Sequence, residues 1–158
     1  MIHCFLDIVP PTVTAQQKGA YARGGKVHFY TKRQLKDLET LYGIHLARSR
    51  PQLPIEGPVH LVIRYTFPLR SGERAGYKRQ GFRLHDVRPD LDNLEKLLID
   101  TMTKARWFRD DSQISVKITT KFWGLKPGIE IIAQPAAAHW LDQHTDLPPL
   151  STRYQATT

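Results

Sequence analysis

A chain of 158 residues, 41% of them hydrophobic, has the material for one domain with an ordinary core. Its single cysteine, Cys4, excludes an internal disulfide and a cysteine-rich zinc site, and no segment holds the roughly 18 apolar residues of a membrane span. The net charge of +8 is uneven, with 15 Lys/Arg against six Asp/Glu in residues 1–89 but four against six in residues 90–111. A basic chain with one acidic island points to a polyanionic partner and a place that holds cations, a merely solvated basic surface being the plain alternative.

Residues 2–9 predict a β-strand stopped by Pro10-Pro11. Cys4 within it reads as a buried, inert thiol, and the absence of a basic leader suits a cytoplasmic protein in a reducing compartment. Residues 12–30 interleave Lys18, Arg23 and Lys26 with Tyr21, Phe29 and Tyr30 and with three glycines, which suggests a mobile basic loop. Thr31 is the expected N-cap of a helix over 32–48, whose apolar stripe is Leu35, Leu38, Tyr42 and Leu46. Residues 59–67, β-branched and aromatic, predict a strand closed by Pro68. The stretch 69–88, with six Lys/Arg and three glycines, is too polar for a core element.

The clearest helix is 91–105, where Leu91, Leu94, Leu98, Met102 and Ala105 recur at spacings of three and four. Residues 113–122 and 128–134 predict two strands around a Gly124–Gly128 turn, read as a hairpin. From Pro135 onward periodicity is lost, and Trp140 and Leu141 leave a docked extension or a frayed tail open. The order β-α-β-α-β-β gives a mixed α/β (α+β) domain, with helices packed on one small sheet of about four strands.

The acidic island lies at the start of the second helix. Asp92, Lys96 and Asp100 follow one another at i,i+4, and Asp90 stands just ahead. Local explanations exist for each residue. Asp90 or Asp92 can cap the helix, Asp92 and Glu95 have capping-box spacing, Asp92–Lys96 can be a surface pair, and Asp110-Asp111 can be turn residues. Two carboxylates one residue apart nevertheless repel unless a proton or cation lies between them, and a hard divalent ion such as magnesium suits oxygen donors. Such an ion serves in-line phosphoryl transfer. The seven scattered histidines form no zinc pattern, and no phosphate-binding P-loop or Gly-x-Ser-x-Gly elbow is present.

Asp90-Leu-Asp-Asn-Leu-Glu-Lys96, then Asp100-Thr-Met-Thr-Lys-Ala105, then Asp110-Asp-Ser-Gln-Ile114 resembles the signature of RusA-type Holliday junction resolvases. The ungapped likeness covers about 25 residues, and a weaker one covers most of the chain. The resemblance implies a RusA-like nuclease domain over 1–134 with a C-terminal extension over 135–158. It implies a homodimeric, magnesium-dependent endonuclease acting on branched DNA, the four-way junction. The family's three essential aspartates fall on Asp90, Asp92 and Asp111, its lysine on Lys96, and Glu95 and Asp110 are neighbours able to tune the site. Lys18, Arg23, Lys26, Arg70, Arg74, Lys78, Arg79, Arg83 and Arg88 are the expected DNA contacts, with Tyr21, Phe29 and Tyr77 as candidate stacking rings. The competing reading is a non-catalytic branched- or single-stranded-DNA-binding protein. Three departures stand out: Arg106 where the family commonly has glycine, which implies a different local turn; Gln16-Gln17 in place of an early asparagine; and longer 69–88 and tail segments.

Overall fold

The computed structural model describes residues 1–12, 18–23, 26–31 and 33–137, with side chains for 1–12 and 33–137. Among these residues seven strands and three α-helices follow in the order β1 (Ile2–Leu6), β2 (Lys18–Arg23), β3 (Lys26–Thr31), α1 (Arg33–Ser49), β4 (Val59–Pro68), α2 (Ala75–Gln80), β5 (Phe82–Leu84), α3 (Leu91–Lys104), β6 (Ile114–Gly124) and β7 (Gly128–Pro135). A 3-10 turn, Asp111–Gln113, leads into β6. The mixed α+β class is as expected, with five strands in the main sheet where about four were anticipated.

The main sheet has the order β1-β7-β4-β6-β5. β4 is parallel to β6 and antiparallel to β7, while β1 and β5 pair antiparallel at the two edges. β6 and β7 are therefore not a hairpin. The expectation rested on their short link, but β4 lies between them, pairing Phe67 with Trp123 on one side and Thr66 with Gly128 on the other. Of the strands whose side chains are described, β4 is the most buried, and such a run is favoured at the centre of a sheet, where both edges are paired. Gly128 opens β7 because a Cβ there would lie 2.1 Å from the Phe5 ring.

Two further expectations change. Residues 18–31 are not a loop but the antiparallel pair β2–β3, separated in sequence by Gly24-Gly25, a dipeptide that favours two-residue hairpins. Thr31 belongs to β3, and α1 starts two residues later. The basic stretch 69–88 holds no core element, as expected: α2 has no buried residue and β5 is a short, mostly exposed edge strand.

One face of the sheet carries the core. Leu61, Ile63, Tyr65, Ile129, Ile131 and Ala133 pack against Tyr42 and Leu46 of α1 and Leu94, Leu98 and Met102 of α3. The predicted stripes are thus mostly the buried ones, with Leu38 and Ala105 partly buried at the margin and Leu91 half-buried at the helix start, outside the core. Trp107, fully buried after α3, donates its Nε1–H to the Leu46 carbonyl at 3.1 Å, tying the two helices. Cys4 is buried, which pushes its thiol up to about 11. Among the described residues no helix is long and apolar enough to cross a membrane. Residues 138–158, including Trp140 and Leu141, lie outside the described set.

Candidate active site

Asp90 takes the N-cap position of α3 in extended conformation (φ −74°, ψ 150°), and its carbonyl accepts from Leu94 N–H at 3.2 Å. Its side chain makes no capping bond. Asp92, in the first turn, is exposed, and so is Lys96 one turn later. Among the described residues no ion pair joins Asp92 to Lys96. Cap, box and surface pair thus all fail to account for these two carboxylates.

Glu95 rules out the capping box because it turns inward. It is only 8% exposed, accepts from Thr119 Oγ1 at 2.6 Å and pairs with Lys117 Nζ. A buried carboxylate needs such partners, since desolvation is otherwise uncompensated. Lys117, Thr119 and Lys121 are alternate residues of β6 and so share its α3-facing side. Lys121 Nζ donates to the carbonyls of Val87 at 2.5 Å and Pro89 at 2.8 Å, directly ahead of Asp90, and the Arg88–Pro89 peptide is cis.

Asp111 stands elsewhere. It opens the 3-10 turn beyond the far end of α3, and a helix of 14 residues is about 21 Å long. Asp110 and Gln113 form a complete capping box around that turn. The Asp110 carboxylate accepts from Ser112 N–H at 2.9 Å, and Gln113 Oε1 accepts from the backbone N–H of Arg109 (2.7 Å) and Asp110 (3.1 Å). Gln113 Nε2 donates to the carbonyls of Gly57 and Ile55 at 2.8 and 3.2 Å. The Ser112 hydroxyl, with that backbone bond, holds the Asp110 carboxyl below the usual carboxylate range. Asp110 is therefore a cap, and both it and Asp111 beside it are exposed. Among the described residues no three His, Cys, Asp or Glu side chains gather to hold a metal ion. The fold brings Asp90, Asp92 and Lys96 to one helix start and leaves Asp111 apart.

Of the expected DNA contacts, Arg70, Arg74, Lys78, Arg79 and Arg88 are exposed and belong to the segment that ends at Asp90. Arg70 lies over the Trp123 ring at 4.5 Å, and His85 stacks on that ring at 4.1 Å. Arg83 differs: only 18% exposed, it is held by Glu73 at 3.1 Å and Asp86 at 3.3 Å, so it is less able to meet a phosphate than its neighbours. Lys18, Arg23 and Lys26 have backbone places in β2 and β3, but their side chains, like those of Tyr21 and Phe29, lie outside the described set. Tyr77, on α2, is 37% exposed beneath Arg83.

Sequence reading passed over Lys117, Thr119, Lys121 and Gln113. The available signal was the alternation of Lys117, Thr119 and Lys121 with Val116, Ile118 and Thr120, a pattern whose apolar members would ordinarily face the helices. The polar members do so instead, because Glu95 and the 87–89 carbonyls need donors there.

The model of the endodeoxyribonuclease RusA family matches residues 9–133, a span that includes all of α3, the 3-10 turn and β6. The chain belongs to the RusA family. A crossover junction endodeoxyribonuclease RusA of Lactococcus phage r1t is 37% identical over 109 residues, 69% of this chain and 77% of that relative. The uncharacterized protein YqaN of Bacillus subtilis (strain 168) is 24% identical over 133 residues, 81% of this chain and 92% of its own. In this RusA-family chain, Arg106 keeps the turn that glycine would favour. Its φ is +61°, and Trp107 N–H reaches back to the Met102 carbonyl at 3.1 Å, as in a Schellman closure. The substituted residue does not alter the turn, contrary to expectation.

Proposed function

We propose that this protein is a magnesium-dependent endodeoxyribonuclease that resolves four-way (Holliday) DNA junctions by paired phosphodiester cleavage, its nuclease domain spanning residues 1–134. The observation that carries the reading is the start of α3, where Asp90 and Asp92 stand one residue apart, the Asp90 side chain without a capping bond and neither carboxylate in an ion pair among the described residues. A helix start uses one cap at most. Two clustered, exposed carboxylates gain nothing toward a polyanion, and they fit the hard-oxygen donor set of magnesium, which needs few protein ligands. The name carried by the phage relative, a crossover junction endodeoxyribonuclease, supports the branched substrate.

Asp90 and Asp92 would hold the ion, with Asp111 as the third carboxylate. Magnesium, when bound, supplies Lewis acidity toward the phosphate and its attacking and leaving oxygens. Lys96 presents a cation one turn beyond Asp92, placed to orient the scissile phosphate or offset its growing charge. Arg70, Arg74, Lys78, Arg79 and Arg88 lead the DNA backbone toward Asp90, giving affinity and register more than sequence choice. The separation of Asp111 from the other two supports a homodimer in which Asp111 of a second copy completes each site. A two-fold dimer then offers two sites for two symmetric cuts.

Incubating the purified protein with a synthetic four-way junction and with linear duplex, each with and without magnesium, tests the reading. Symmetric, magnesium-dependent cutting of the junction is expected. Equal cutting of the linear duplex overturns junction selectivity, and cutting in metal-free buffer overturns the role of magnesium.

A further inference from the structure

We propose that Lys121 is a positioning residue for the Asp90–Asp92 carboxylate pair, a role that rests on the reading of that pair as the metal site. The Asp90 side chain makes no capping bond, so its place is set by the backbone on either side of it. On the upstream side that backbone is the 85–89 segment, which leaves β5 and has no regular structure. One β6 residue holds it at three points. The Lys121 carbonyl accepts from His85 N–H at 3.1 Å, and Lys121 Nζ donates to the Val87 and Pro89 carbonyls at 2.5 and 2.8 Å.

Pro89 is buried and has no N–H, so its carbonyl is its sole polar backbone group, and Lys121 satisfies it. An ammonium group suits this task because it is a compact point donor that can turn separate N–H bonds toward two converging carbonyls, whereas the planar guanidinium fork matches carboxylates and phosphates better. Downstream of the pair, Glu95 is held by Thr119 and Lys117, the next two residues on the same side of β6. The Asp90–Asp92 pair is therefore suspended between two grips from one strand; His85 also stacks on Trp123 and Asp86 pairs with Arg83, but among the described residues Lys121 is the side chain that holds the two carbonyls next to Asp90.

A carboxylate pair that must meet an ion within a few tenths of an ångström depends on such supports, whose removal elsewhere typically lowers metal affinity about 10- to 100-fold. The test is magnesium titration by calorimetry of the full chain without DNA, for wild type, Lys121→Met and Lys121→Arg, alongside thermal unfolding and junction binding in metal-free buffer. Lys121→Met is expected to bind magnesium at least about tenfold more weakly. Its metal-free junction affinity should stay within about twofold, since phosphate contacts are untouched. Lys121→Arg should recover part of the loss. Wild-type magnesium affinity in Lys121→Met overturns the proposal, as does loss of its cooperative unfolding transition, which would make Lys121 a general support of the fold. Absence of magnesium binding by the wild type would instead overturn the metal-site reading beneath it.

Discussion

Arg106 holds a left-handed backbone at +61°, where most side chains meet a steric cost of roughly 1 kcal/mol or more and glycine meets none. The turn survives because it hands the chain from α3 to Trp107, whose full burial over-determines the conformation. Arg106→Gly is expected to raise stability by about 0.5–1 kcal/mol in chemical denaturation, with the midpoint shifted and the slope unchanged. A drop would show that the arginine side chain contributes more than its strain costs. The sequence marked this position only as a departure from a pattern, because residue identity does not report the φ that the surroundings impose. The two adjacent acids are similar in that respect. Asp110 and Asp111 are indistinguishable by type and both exposed, yet one closes a capping box and the other only opens the turn. Gln113, three residues after Asp110, was the available sign of that difference.

At the scale of elements, α3 and β6 act as one unit. Glu95 is bound by Thr119 and Lys117, and removing it leaves a partly buried ammonium and a hydroxyl without their acceptor. Charge-assisted bonds of this kind contribute about 1.5–3 kcal/mol, and the Lys117 side chain is 40% exposed, so solvent screening argues for the lower end. Glu95→Ala is expected to lower unfolding free energy by about 2 kcal/mol, read from denaturant titration, and a change below about 0.5 kcal/mol would contradict the burial argument. The stripes of α1 and α3 were legible because helical periodicity is local and strong. The pairing of β6 was not. A three-residue link and two flanking glycines suggest a hairpin, but strand order depends on β4, more than 40 residues away in sequence, and no local pattern encodes that insertion. β2 and β3 were overlooked for a different reason: their charged residues masked an alternation that Gly24-Gly25 divides.

Across the whole molecule, the parallel pair β4 and β6 with α3 between them in sequence sends Asp90 and Asp92 to one end of the helix and Asp111 to the other. The sequence alone gave the length of that helix and hence the separation; the fold shows that no return of the chain cancels it among the described residues. A site completed by Asp111 of a second copy makes a sharp prediction. Asp92→Asn and Asp111→Asn, each inactive alone, should regain cutting when unfolded and refolded together, because each mixed dimer then holds one intact site. With random pairing about half the dimers are mixed, so nicking at roughly a quarter of the wild-type rate per site is expected. No recovery from the mixture would place all three aspartates in one chain and overturn the shared site. The most direct measurement of the central claim sets wild type beside Asp92→Asn on the same four-way junction, scoring binding and strand cleavage with magnesium present. The wild type is expected to make paired cuts, and the variant to bind undiminished without cutting. A wild type that binds but never cuts in any divalent metal, or a variant that cuts as well as the wild type, would contradict that claim.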